Sequence, residues 1–477
     1  MKQSDTPSFI EIKHGGMLIR NMHPTQILVI GFLTLILIGS LLLMLPISSA
    51  SGAYTPFADA LFTATSAVCV TGLVVVDTAA HWSLFGKIVI LGCIQVGGLG
   101  FMSLVSMVFV VLGKKITLKN RLIMQEALNF NTTAGVVRFT KMVVKGTLMV
   151  EAIGALLLML SFVPEYGVLK GVWYAIFHAI SAFCNAGFDI LGPSSLAPYV
   201  GNGIVNGVIM CLIVIGGLGF SVWLDVYRVI KYKLEAPKHF TWKQAVNKLM
   251  LHTKLVGVVT LALLFIGFVV IFILEYKNPG TLGALTLKEK IYAALFQSVS
   301  PRTAGFYTIP LSEMTDTSKL FTIILMFIGG SPAGTAGGIK TVTFGVLAIC
   351  AFSTIRGNDQ TVIFKRRIPF HLITRALALV MIAMSVVIVA VGGLSLSEDF
   401  SFMEILFETV SAFATVGTTL GITPFLSLVG KILIIIVMFI GRLGPITMAV
   451  ALMVRRGNKE NGSGGSIQYP EERVIVG

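Results

Sequence analysis

Eight stretches of this chain are long and apolar enough to cross a bilayer, at about 26–46, 85–112, 143–163, 204–224, 254–274, 319–355, 376–393 and 429–454. A hydrocarbon core takes roughly 20 apolar residues per helix. Every backbone polar group inside it must be satisfied without water, so runs of this length imply an all-α polytopic membrane protein. With 55% of its residues hydrophobic, 12% charged and a mean hydropathy of +0.89, the chain lies outside the range of soluble domains. The first run follows a polar, basic segment of residues 1–24 and is too long for a cleavable leader, so it is expected to remain as a span.

The connectors alternate in charge. Those at 113–142, 225–253 and 356–375 are basic, with "GKKITLKNR", "YRVIKYKLEAPKHFTWKQAVNK" and "FKRR" among them, whereas the connectors inside each pair of spans carry few positive charges. By the positive-inside bias the basic loops and both termini face the cytoplasm, and they hold most of the +14 net charge. Nucleic acid is not the expected partner, because these charges flank spans and belong to no nucleic-acid-binding motif. Cys69, Cys93, Cys184, Cys211 and Cys350 lack metal or disulfide spacing and read as reduced thiols. No catalytic cluster lies in the spans, so an enzyme is not expected.

Each poorly charged connector contains one recurring sentence: "LFTATSAVCVTG" ending at Gly72, "IFHAISAFCNAG" at Gly187, "LFQSVSPRTAG" at Gly305 and "LFETVSAFATVG" at Gly417. A Phe precedes a Ser by four positions in every copy, as Phe62/Ser66, Phe177/Ser181, Phe296/Ser300 and Phe407/Ser411. The third copy is one residue shorter between Ser and Gly. A second marker follows in the next span: "GGLGF" from Gly97, "GGLGF" from Gly216, "GGSPAG" from Gly329 and "GRLGP" from Gly441. The chain therefore divides into repeats at 25–112, 143–224, 254–355 and 376–456, followed by a C-terminal tail at 457–477. Every repeat begins on the same side, so they run parallel, unlike the inverted repeats of many secondary carriers.

Each connector holds about ten helix-compatible residues, too few to cross, and then an irregular tail ending in Gly. Non-helical backbone at membrane depth is tolerated where it lines a water-filled cavity. Four short helices pointing their carboxyl ends at one axis would favour a cation there. Glycine backbone could turn carbonyl oxygens inward to replace an ion's hydration shell. The expected potassium site is thus Thr71, Gly72, Ala186, Gly187, Ala304, Gly305, Val416 and Gly417.

"GGSPAGTAGGIKT", Gly329 to Thr341, puts five glycines and Pro332 in the middle of the sixth run, where a continuous helix is disfavoured. It departs from a nucleotide-binding P-loop at Ile339, where that motif needs Gly. Tight packing through Gly334 and Gly338 is one alternative. The other is a flexible intramembrane gate comprising Gly329, Gly330, Ser331, Pro332, Ala333, Gly334, Thr335, Ala336, Gly337 and Gly338. Arg442 aligns with Gly98 and Gly217, just below the expected filter, and a cation inside a span is a functional suspect. It is read as a pore-facing barrier to cations, with a buried ion pair, for example to Glu151, as the alternative.

The tails "CVTGL", "CNAGF", "RTAGF" and "ATVGT", the fourfold pattern and "GGSPAGTAGGIKT" resemble the Trk/Ktr/HKT superfamily of cation transporters over nearly the whole chain. With no extra helix pair before the first repeat, the chain looks closer to the membrane subunits of Ktr potassium uptake systems than to TrkH. The resemblance implies four M1–pore helix–M2 repeats in pseudo-fourfold arrangement, with eight transmembrane helices and four re-entrant pore segments around a central pore. It also implies a homodimer in the cytoplasmic membrane, bound to an octameric ring of cytoplasmic RCK-type nucleotide-binding subunits. Potassium is the implied cargo and sodium a stimulating or alternative ion. In plant relatives a Ser at the first filter Gly accompanies sodium preference, and all four positions here are Gly. A less selective monovalent cation carrier of the same fold stays open.

Overall fold

The computed structural model describes residues 24–100, 136–235, 241–358, 360–445 and 447–448. The expected N-terminal segment and C-terminal tail, most of the loop 113–142 and the end of the first repeat's second span lie outside the described residues.

Each recurring unit opens with a long apolar helix: α1 (Pro24–Met44), α4 (Val136–Tyr166), α8 (Leu251–Glu275) and α12 (Phe370–Ser397). These are the unbroken helices long and apolar enough to cross a bilayer among the described residues. A short helix follows in each unit: α2 (Phe57–Val68), α5 (Val168–Phe183), α9 (Leu287–Val299) and α13 (Phe402–Ala414). These short helices have 12, 16, 13 and 13 residues. At 1.5 Å per residue they reach about 18–24 Å, less than the hydrocarbon thickness. Capping boxes start two of them, Thr286 with Glu289 and Ser401 with Glu404, satisfying first-turn N–H groups reciprocally. The recurring Phe62, Phe177, Phe296 and Phe407 are fully buried and lock the short helices into the cores.

The longer of the remaining helices are α3 (Leu84–Leu99), α6 (Gly203–Gly217), α7 (Phe220–Glu235), α10 (Asp316–Phe327), α11 (Thr341–Ile355) and α14 (Leu428–Leu443). Here the structure differs from the continuous spans that the sequence suggests. The run over 204–224 is two helices, α6 and α7, meeting at 98°. The cause is the last glycine of the second marker: Gly219 takes φ +89°, and its counterparts Gly100 and Gly444 take φ +78° and +84°, ending α3 and α14. In the third repeat Pro332 occupies that place and residues 328–340 are irregular between α10 and α11. One small strand pair, β1 (Val362–Ile363) with β2 (Arg366–Arg367), departs from an all-helical chain.

Acidic residues at the ends of the long helices hold the segments that carry the short ones. Glu398 accepts from the backbone N–H of Ser427 at 3.1 Å, at the start of α14, and Glu275 accepts from the N–H and hydroxyl of Thr315 at 3.0 and 2.8 Å, at the start of α10. In the second unit Glu165 accepts from the Tyr199 hydroxyl at 2.7 Å. Three of the four short helices, α5, α9 and α13, are thereby tied to the long helix that precedes them.

Candidate functional site

After each short helix the chain turns through a left-handed residue, Val70, Asn185, Thr303 or Thr415, with φ of 57°, 57°, 73° and 52°. Two residues on, Gly72, Gly187, Gly305 and Gly417 have φ of 93°, 69°, 82° and 92°. The carbonyl oxygens of the residues between these two positions, Thr71, Ala186, Ala304 and Val416, are the atoms that the glycines of the neighbouring turns approach. A left-handed β-branched Val or Thr is an outlier that only surrounding structure can hold.

The serines of the motif provide that support. The N–H groups of Thr71, Ala186 and Val416 each donate to the carbonyl of Ser66, Ser181 and Ser411 at 2.8 Å. In the copy shortened by one residue, Ala304 N–H donates to Ser300 at 2.9 Å. The hydroxyls of Ser66 and Ser411 accept from the N–H of Gly72 and Gly417 at 3.0 and 3.1 Å. Those of Ser181 and Ser300 instead donate to the carbonyls of Phe188 and Phe306.

The four turns touch in a cycle. A Cβ on Gly187 would meet the carbonyl oxygen of Ala304 at 2.8 Å, and one on Gly305 that of Val416 at 2.7 Å. On Gly72 it would run into Ala186 O, and on Gly417 into Thr71 O, closing the ring. The glycines that open the second markers serve the same close packing: Gly97, Gly216 and Gly441 press against the carbonyls of Val68, Phe183 and Phe413 near the ends of α2, α5 and α13.

Residues 328–340 lie against these turns. Gly337 abuts Thr415 and the Ala414 carbonyl, while Thr335 Oγ1 donates to Phe183 O at 3.2 Å. Ser331 N–H donates to Gly217 O at 2.9 Å, and Phe220 N–H to Ala333 O at 2.9 Å. Ser331 Oγ also lies 3.1 Å from Thr341 Oγ1, so much of the irregular backbone is held by neighbours rather than by its own helix. Lys340 Nζ donates to the Ala336 carbonyl at 2.7 Å.

Arg442 donates to the carbonyls of Thr335, Gly97 and Gly98, bridging this loop to the end of α3. Its partner is therefore not Glu151, whose carboxylate accepts from Gln95 Nε2 at 3.1 and 3.2 Å.

Sequence reasoning missed several residues of this site. Arg302, 7% exposed, donates Nη2 to the Gly329 carbonyl at 3.2 Å, and Asn185 Nδ2 donates to the Arg302 carbonyl at 3.3 Å. The position after each recurring Phe is polar and buried, as Thr63, His178, Gln297 and Glu408. Glu408 accepts from the hydroxyls of Thr419, at 2.7 Å, and Thr423, tying α13 to the chain beyond Gly417. The alignment of the four copies carries this signal. Asp189 lies two residues past Gly187, in the connector between α5 and α6 and outside the expected spans. Loss of hydration there pushes its carboxyl up to about 7, with the Asp77 carboxylate adding to the rise and the Ser195 side chain and the N–H groups of Gly192 and Leu191 offsetting it in part.

Residues 6–461 match the TrkH family model, described as a cation transport protein. The chain belongs to the TrkH family. It is 44% identical over 454 residues to the Ktr system potassium uptake protein B of Bacillus subtilis, covering 95% of this chain and 97% of that protein. It is 42% identical over 462 residues to the potassium/sodium uptake protein NtpJ of Enterococcus hirae, covering 96% and 98%. The crystal structure of the potassium transporter TrkH from Vibrio parahaemolyticus shares the fold, with a TM-score of 0.70 at 18% identity, over 93% of this chain and 86% of that one. The TrkH-family chain is thus a helical multi-pass membrane protein of a cation transport class.

Proposed function

We propose that this protein takes up potassium across the cytoplasmic membrane through the ring formed by Thr71–Gly72, Ala186–Gly187, Ala304–Gly305 and Val416–Gly417. The cyclic contact of the four glycines carries the reading. Only glycine gives positive φ without a side chain filling the space where neighbouring carbonyls meet. Carbonyl oxygens around that space replace the hydration shell of a cation, and the carboxyl ends of α2, α5, α9 and α13 add partial negative charge. The four repeats then form a pseudo-fourfold pore, with the short helices as re-entrant segments.

Beneath the ring, Gly329 to Gly338 acts as the gate and Arg442 holds it closed while placing a positive charge on the ion path. The naming of the Bacillus relative as a Ktr system protein supports a membrane subunit that works with other components. We propose that it does so as a homodimer with a cytoplasmic RCK-type nucleotide-binding ring, and the basic connectors support both termini on the cytoplasmic side. A second reading, sodium as co-transported or alternative cargo, draws on the printed name of the Enterococcus relative. Rubidium uptake by purified protein in liposomes, with and without a sodium gradient, tests both. Rubidium accumulation driven by its own gradient and outcompeted by potassium is expected. Transport of sodium in preference to rubidium would overturn the potassium assignment.

A further inference from the structure

Behind the third turn, the long helix α8, the end of the short helix α9, the end of α6 and the irregular segment enclose a small cavity. Thr260 of α8, Arg302 of the turn, Gly217 and Gly330 line it, and its remaining walls are the apolar side chains of Ile213, Val214 and Val299. It offers about 10 Å³ to the centre of a water-sized sphere, close to the least that holds one water.

The two polar side chains in its wall are both buried, Thr260 at 6% and Arg302 at 7% exposure. Arg302 donates Nη2 to the Gly329 carbonyl at 3.2 Å. Its Nη1 and the Thr260 hydroxyl, however, have no hydrogen-bond partner among the described residues. No carboxylate among those residues pairs with Arg302. A buried donor without an acceptor is costly, and a threonine inside a helix has a ready remedy, a bond from its hydroxyl to the carbonyl four residues back. Thr322 and Thr409 make that bond, to the carbonyls of Ser318 and Ile405 at 2.8 and 2.7 Å. Thr260 does not, which leaves its hydroxyl for the cavity that it lines.

We propose that this cavity binds one water, which accepts from Arg302 Nη1 and bonds to Thr260 Oγ1, and that through it Thr260 is a positioning residue for the Arg302 guanidinium. Size selects the ligand. A small anion such as chloride would also answer a buried guanidinium, but it is larger than water, and the cavity has room for little more than one water. With the water in place, α8 is joined through Arg302 to the carbonyl of Gly329, so the outer helix of the third repeat, the third turn and the start of the irregular segment hold one another in position. The water site stands on geometry alone. Its effect on transport rests on the reading of the four turns as a potassium-selective ring.

The test compares full-length wild type, Thr260→Val and Thr260→Ser in crystal or electron-microscopy maps that show ordered waters, and by sodium competition against rubidium uptake in liposomes. Wild type and Thr260→Ser are expected to show one density peak within about 2.7–3.2 Å of both Nη1 and the residue 260 hydroxyl. Thr260→Val keeps the shape without the hydroxyl, so it should lose the peak and let the guanidinium turn from the Gly329 carbonyl. Its discrimination of rubidium over sodium should fall about two- to tenfold, the factor that one hydrogen bond's net worth carries, while Thr260→Ser keeps that of wild type. A threonine that only packs predicts the opposite order, since Val conserves its volume and Ser does not. No peak in wild type, a peak that persists in Thr260→Val, or an anomalous bromide signal at that place after a soak overturns the water. Competition in Thr260→Val equal to wild type overturns the positioning role. If Thr260→Val does not fold, the wild-type and Thr260→Ser maps decide the site. If wild type itself fails to discriminate between the two ions, the ring reading falls, and the peak together with the Arg302 orientation in the three maps still decides this proposal.

Discussion

Arg302, at the turn that leads to Gly305, donates its guanidinium to the carbonyl of Gly329, where the irregular segment under the ring begins. Asn185 makes a second link from the neighbouring turn, its amide reaching the Arg302 carbonyl and its Oδ1 lying 3.4 Å from Thr335 Oγ1. The turns and the loop are thus one hydrogen-bonded body, and displacement of either strains the other. We predict that Arg302→Gln lowers discrimination of potassium over sodium, because it frees the Gly329 carbonyl and loosens the third turn. Leaving that buried acceptor unpaired costs about 1–3 kcal/mol. Sodium competition against rubidium uptake, with thermal unfolding run in parallel, checks this. Unchanged competition in a destabilised protein would make Arg302 purely structural.

Gly417 offers a direct probe of the ring. At φ +92° a side chain is strained, and its Cβ would collide with Thr71 O and approach Gly72 Cα at 2.9 Å. Gly417→Ser should therefore widen the ring or tilt the fourth turn, at a strain on the order of 1–3 kcal/mol, and cut potassium over sodium discrimination. Gly392→Ser, at an open site on α12, is the control and should leave ion competition as in wild type.

Glu408 supports the same turn from behind. Replacement by Gln keeps an acceptor for one threonine hydroxyl, whereas Val leaves those of Thr419 and Thr423 without it. We expect Glu408→Val to cost about 1–3 kcal/mol more than Glu408→Gln, and to impair selectivity where Gln largely preserves it. Uptake competition together with thermal unfolding of both variants measures the difference; identical behaviour would remove any positioning role.

The four short helices and their turns were legible because Phe and Ser recur four positions apart with a Gly five or six residues further on, and these types serve burial, bonds within the turn, and positive φ. The break at Gly219 was not. The apolar run continues across it through Phe220 to Leu224, and one left-handed glycine redirects the helix before the charged residues begin. The partners of Arg442 were illegible for another reason. They are backbone carbonyls, which every residue carries, so no residue type marks them. The links from Arg302 and Asn185 join positions far apart in the chain, and only the folded arrangement of the turns brings them together.

Asp189 gives the site a pH response. Its carboxyl is held at about 7, so its negative charge appears as pH rises through neutrality. A charge two residues past Gly187 raises the local cation concentration as it forms. Rubidium uptake at subsaturating concentration should increase between about pH 6 and about pH 8, and Asp189→Asn should flatten that rise at the low-pH level. A slope retained in Asp189→Asn would point to another group.

The loop itself supplies the most discriminating prediction. It is held mainly by hydrogen bonds, to Gly217, Phe183, Phe220, Arg302 and Arg442, so its displacement breaks polar contacts that water can replace more than it opens an apolar cavity. Removing Ala333 to Ala336 deletes the Thr335 groups that reach Phe183, Asn185 and Arg442, and should release the closed position. Flux per folded protein in liposomes is expected to rise, and its dependence on a cytoplasmic regulator to weaken. Size exclusion guards the comparison: a segment that only packs helices together would give less folded protein and no gain in flux. A fall in flux with the assembly intact would instead make the loop part of the conducting path.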